Sequence, residues 1–139
     1  MLEFPYVSLP GGITRPLIAV LVEGPSNRRL LDGLLDTGSD RTVFPAREAK
    51  AIGVILPTAP DGSFKTAGGI SIGYRLAEVI LELRDARMSA RWNAEVAFAD
   101  EPLMIVHLGH RGFLEHFHVQ FQGPERRVLL DPRPGLPSR

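Results

Sequence analysis

Leu34-Leu35-Asp36-Thr37-Gly38-Ser39 sets an aspartate at the end of an apolar run and on a Thr-Gly turn. Asp and Gly both favour bends, so the triplet by itself also fits an ordinary turn after a strand. What gives it chemical interest is its single occurrence. Two carboxylates about 3 Å apart cannot both ionise, and a pair sharing one proton can serve as base and acid around one water. The chain has one such loop, so a second copy of the same chain would have to supply the other carboxylate. Asp36 would take a proton from the attacking water while the partner carboxyl polarises the scissile carbonyl. Thr37 offers a short hydroxyl that can bond across to the partner loop, and Gly38 lets backbone approach with no Cβ in the way. Ser39 adds a possible donor to a carboxylate oxygen, which would favour the ionised form and an acid working range.

Two further stretches follow in order. Phe64-Lys65-Thr66-Ala67-Gly68-Gly69-Ile70-Ser71-Ile72-Gly73 reads as a hairpin with paired glycines at its tip. Ile105-Val106-His107-Leu108-Gly109-His110-Arg111-Gly112-Phe113-Leu114 reads as a buried strand end, a glycine turn and a short helix. With Leu34 to Pro45 as the first segment, this ordered trio resembles the retropepsin-like aspartic peptidases, which include retroviral proteases and single-domain cellular and bacterial relatives. The resemblance spans most of Leu30 to Leu130.

The resemblance implies a mainly β chain, a closed β-barrel of the retropepsin-like acid protease fold with one or two short helices. It implies a homodimeric aspartic endopeptidase, with peptide or protein substrate held extended between a dyad and two flaps. On that basis Asp36, Thr37 and Gly38 are the expected catalytic loop. Ser39, Asp40, Ala67, Gly68 and Gly69 are the expected substrate contacts. Asp40 stands where the family often has an acidic residue touching substrate main chain; a surface ion pair with neighbouring Arg41, worth at most about 1 kcal/mol, is the competing reading. A basic residue after the third segment's glycine can pair with this region in the family, whereas here Gly109 is followed by His110 and then Arg111. The alternative function on the same fold is a non-catalytic peptide-binding or dimerisation module.

Composition agrees with one small unit. A chain of 139 residues suffices for one buried core, expected over residues 1–130, and no internal repeat supplies a second Asp-Thr-Gly loop. Sixteen basic and 16 acidic residues balance, so neither nucleic acid nor an anionic membrane is the expected partner. The absence of cysteine excludes disulfides, thiolate catalysis and cysteine metal sites. No stretch approaches the roughly 18 apolar residues of a membrane span, and Met1 to Pro5 lacks the pattern of a secretory leader, so a cytoplasmic location is the expectation. His107, His110, His116 and His118 crowd together, but their spacings match no standard zinc pattern, so neither metal nor cofactor is expected.

Branched and aromatic residues bounded by Gly, Pro, Asn or Asp predict strands over 16–23, 30–36, 42–44, 70–84, 90–99 and 128–130. Pro45 to Ile52 predicts one helix, with Pro45 as its first residue and Gly53 as its stop, and Gly112 to Phe117 a second. Ala77, Val79, Leu81 and Leu83 should face the core, as should Trp92, Ala94, Val96 and Phe98. Residues 131–139 hold three prolines and are expected to be a mobile tail. Dimer contacts are sought in Met1 to Val7, Val128 to Leu130, or the Asp36 loop.

Overall fold

Strands dominate the structure. The computed structural model describes Met1 to Ser138. In chain order the elements are β1 (Leu2–Pro5), β2 (Val7–Leu9), β3 (Ile13–Arg15), β4 (Leu17–Glu23), β5 (Arg28–Leu35), β6 (Val43–Pro45), α1 (Ala46–Ile52) and β7 (Gly62–Lys65). Next come β8 (Ser71–Arg84), β9 (Ser89–Ala99), β10 (Val106–Leu108), a 3-10 turn (Leu114–His116), β11 (Phe117–Gln122) and β12 (Arg127–Pro132). No helix among the described residues is long and apolar enough to cross a membrane.

One large sheet runs β4-β5-β10-β6-β9-β8-β7, and β8 also pairs with β4, so the pairings return to their first strand. The β5–β10 and β6–β9 pairs are parallel; the other pairs are antiparallel. A second sheet has the order β1-β12-β11, and β2 and β3 form a hairpin.

The alternation expected of the long strands is present. Val79, Leu81 and Leu83 of β8 and Trp92, Ala94, Val96 and Phe98 of β9 are buried in one cluster with Ile18, Val20, Val22, Phe44 and Leu108, while Ala77 is half-buried against it. Full burial of such a side chain is worth about 1.5–3 kcal/mol against exposure. Trp92 anchors one end, with ring centroids 5.6 Å from Phe113 and 5.2 Å from Phe117, and its indole N–H donates to the Gly112 carbonyl at 2.9 Å. Leu76, on the other face of β8, packs with Val43, Ile72, Ala97 and Ala99 in a smaller separate cluster.

Helix α1 begins one residue later than expected. Pro45 has φ −59° and ψ 138°, an extended conformation, so it ends β6 and stands as the cap. Gly53 ends the helix at φ +82°, a left-handed turn that glycine adopts without strain. The second predicted helix is only the 3-10 turn, because Phe117 returns to extended backbone to open β11.

Of the C-terminal segment expected as a mobile tail, residues 131–138 lie against the body of the protein, and Arg139 lies outside the described residues. Asp131 and Pro132 continue β12 opposite His118 and Phe117. Leu136 is 6 % exposed within the main core, and Pro137 accepts a hydrogen bond from the Arg91 N–H at 3.0 Å. Pro132 sits at the end of its strand, and the following prolines lie outside the ladder, where a missing N–H costs nothing. Two segments considered for a dimer contact pair with each other within the chain: Leu2, Glu3 and Phe4 lie opposite Leu130, Leu129 and Val128. The Glu3 N–H also donates to Asp85. Burial pushes the Asp85 carboxyl up, but the N–H groups of Arg87, Met88 and Glu3 outweigh it and hold the pKa below the usual range.

His116 lies against Trp92, with ring centroids 5.8 Å apart, and its Nδ1 accepts from Arg133 Nε at 3.1 Å. Burial lowers its pKa; Glu115 opposes this and Arg133 adds to it. The unfolded chain therefore takes up this proton before the folded one. Its contribution to stability is complete above the unfolded value of about 6.5 and is lost as pH falls through the lower folded value. His116→Gln keeps an acceptor for Arg133 but cannot titrate, so its melting temperature should fall less than that of the wild type on acidification. Parallel thermal melts below pH 6.5 check this, and equal slopes would refute it.

Candidate active site

The Asp36 loop is laced to the turn after β10 by backbone bonds. β5 and β10 run side by side in parallel, with His107 opposite Leu34 and Leu108 opposite Leu35. Where they end, the Asp36 N–H donates to the Leu108 carbonyl at 3.1 Å, and the His110 and Arg111 N–H groups donate to the Ser39 and Asp40 carbonyls, each at 2.9 Å. The Thr42 N–H returns a bond to the Arg111 carbonyl at 2.9 Å. The two segments cross closely enough that a Cβ on Gly109 would meet the Ser39 carbonyl oxygen at 2.5 Å and overlap the Arg41 carbonyl oxygen. Glycine is required at 109 by this approach of backbone to backbone.

Within the loop, Gly38 N–H donates to Asp36 Oδ1 at 2.9 Å. Asp36 Oδ2 lies 3.0 Å from His107 Nδ1. An ionised carboxylate only accepts, so Nδ1 is the protonated nitrogen in that state. The Asp36 side chain is 31 % exposed and that of His107 is 25 % exposed, while Thr37 and Gly38 lie on the surface. The carboxylate is thus held from two sides and open on a third.

The neighbours divide. The Ser39 hydroxyl, expected beside the carboxylate, donates instead to the Arg41 carbonyl at 2.7 Å, which removes the argument from Ser39 for an acid working range. Asp40 is exposed, and the Arg41 guanidinium turns to Glu95 at 3.4 Å and over the Tyr74 ring at 5.7 Å. In place of a basic side chain pairing with the loop, His110 Nε2 donates to the Thr37 carbonyl at 2.7 Å, and Arg111 lies 3.9 Å from Glu95. The histidines therefore diverge. His107 and His110 serve the Asp36 loop, His116 lies against Trp92, and His118 is exposed on β11.

Ala67, Gly68 and Gly69 form the exposed tip between β7 and β8. The Thr66 N–H donates to the Ile70 carbonyl at 2.8 Å and the Gly69 N–H to the Thr66 carbonyl at 2.9 Å, with Gly69 at φ +79°. Below the tip, Phe64 and Tyr74 stack at 6.3 Å and pack on the smaller apolar cluster. Arg75 fixes the base by donating to both Asp100 oxygens, at 2.8 and 3.0 Å, and to the Pro57 and Thr58 carbonyls, at 2.8 and 2.9 Å. Arg41 over Tyr74 links that base to the Asp36 loop.

The role of His107 escaped sequence reasoning, which placed it only among crowded imidazoles. The available signal was its place in the third segment, one residue before the strand end that packs beside the Asp36 loop.

No protein-family model and no curated protein matches the chain. Among solved structures, the chain is similar to a retropepsin-like aspartic protease from Rickettsia conorii, with TM-score 0.61 and 18% identity over 93% of this chain and 99% of that one. It also matches EIAV protease complexed with the inhibitor HBY-793, with TM-score 0.49 and 19% identity over 75% of this chain and 88% of that one. With the order of loop, hairpin and glycine turn, the first of these matches identifies the architecture: the chain has a retropepsin-like fold.

Proposed function

We propose that the chain is one subunit of a homodimeric aspartic endopeptidase whose two Asp36 carboxylates share a proton and activate one water. The observation that carries this reading is the Asp36 carboxylate itself, supported through Gly38 and His107 yet open on one side, on a fold similar to that of a protein named an aspartic protease. Thr37 and Gly38 are exposed beside it, as a loop that meets its own copy across a two-fold axis would be. In this reading the strands around the site close as a β-barrel. Substrate lies extended beneath the hairpin tip of Ala67, Gly68 and Gly69, adding a strand through main-chain hydrogen bonds, and Asp40 contacts its backbone.

A dyad divided between subunits makes activity depend on association. Cleavage of a mixed peptide library per mole of chain should rise with protein concentration and level off once sedimentation shows only dimer. Activity per chain that stays constant into the monomer range would exclude a shared dyad. No cleavage by a fully dimeric sample from acid to neutral pH would favour the peptide-binding module.

A further inference from the structure

We propose that His107 is the positioning residue of the Asp36 carboxylate, holding its plane for water activation by donating Nδ1–H to Oδ2. The inference rests on the peptidase reading and adds a residue to it. A carboxylate bonded through one oxygen can still twist about its Cβ–Cγ bond. Gly38 N–H engages Oδ1 at 2.9 Å, and His107 Nδ1, at 3.0 Å from Oδ2, supplies the second point that defines the plane.

The imidazole is itself well placed to do this. β10 is buried at Val106 and Leu108 and less so at His107, so the strand faces the core on both sides of the histidine and turns the imidazole to the opposite face. Its backbone lies between Leu34 of β5 and Val43 of β6, and these strands lead into and out of the Asp36 loop. A shift of that loop relative to β10 would break the ladder as well as the side-chain bond. His110, the other imidazole at the loop, bonds the Thr37 carbonyl and not the carboxylate, so its contact supports the backbone alone.

With a proton on Nδ1, His107 keeps this bond whichever of the two carboxylates holds the shared proton, since an acid as well as a carboxylate can accept through one oxygen. In a two-fold dimer each carboxylate has its own imidazole. The support is then symmetric and leaves the dyad proton equally placed between the two.

The test compares His107→Leu, similar in bulk and without a donor, with His107→Asn, whose amide nitrogen can stand where Nδ1 stands. Library-derived peptides are cleaved by wild type, both variants and Asp36→Asn. The Leu variant should lose about tenfold to a hundredfold in kcat with KM changed far less, because misplacement of a reacting group by as little as 1 Å costs that order of rate. The Asn variant should recover most of the loss. Thermal melts and sedimentation confirm folded dimers, and the carboxyl ¹³C resonance of Asp36 should move in the Leu variant and return towards wild type in the Asn variant. Wild-type kcat in the Leu variant, a loss confined to KM, or an Asn variant as impaired as Leu would each overturn the assignment. If the wild type cleaves nothing, the peptidase reading fails and the catalytic role fails with it. An unmoved Asp36 resonance would also disprove the contact.

Discussion

Asp36→Asn should reduce peptide cleavage by at least about 10²–10⁴-fold, the usual worth of a general base, and leave the fold intact. The amide is nearly the same shape as the carboxylate. Its oxygen can still accept from Gly38 N–H, and its NH₂ can face His107 once the imidazole carries its proton on the other nitrogen. What it cannot do is take a proton from water. The loss should therefore fall on kcat, with KM for the same peptides little changed. Dimerisation and melting temperature should stay close to those of the wild type, because the side chain is partly exposed and contributes no core packing. Full activity in this variant would show that the aspartate is not the base.

Gly109→Ala should be the most damaging single-methyl change at the site. The added Cβ would collide with the carbonyl oxygens of Ser39 and Arg41, both backbone atoms held in the lacing between the two segments. Neither can swing aside as a flexible side chain would. Relief requires the Asp36 loop to move away from β10, lengthening the Asp36–Leu108 and His110–Ser39 bonds together. Overpacking of this kind costs about 1–3 kcal/mol of stability. Displacing the reacting group by a fraction of an ångström to 1 Å should cost about 10²-fold in kcat. Gly123→Ala is the control, since a Cβ there meets nothing within 4 Å. Equal kcat and melting temperature for Gly109→Ala and wild type would show that the crossing has slack.

Much of the architecture was legible because long strands carry their own signal. β4, β5 and β8 are rich in branched residues, β9 sets Trp92, Ala94, Val96 and Phe98 on one side, and their buried faces follow the alternation. Short strands carry little. β10 has three residues and exists because it fits between β5 and β6, a tertiary condition that no window of sequence contains. β1 ends in a proline and depends on pairing with β12, whereas β11 alternates apolar with polar residues, a strand signal that the sequence does carry. The place of Leu136 in the core was not legible in the Pro-rich C-terminus, because composition describes backbone preference and not tertiary contacts.

The same division holds at the site. The Gly38 N–H on Asp36 Oδ1 lies within reach of local reading, since a turn and its N–H donor are neighbours in sequence. The Ser39 hydroxyl does not, because its choice between the carboxylate and the Arg41 carbonyl depends on how the loop turns. For His107 the third segment gave only its place near the strand end; its meeting with Asp36 is set by the parallel register of β5 and β10.

That register has a consequence for how the protein comes into being. Asp36 and His107 are 71 residues apart in sequence, and Thr37 and His110 are 73 apart. Contacts of such long range form only after a large loop has closed, and parallel pairing of this kind is among the slower events in folding. During synthesis the Asp36 loop emerges long before the strand that shapes it. A growing chain therefore carries the carboxylate without its support, and the activity proposed for this site would arrive only as one of the last acts of folding.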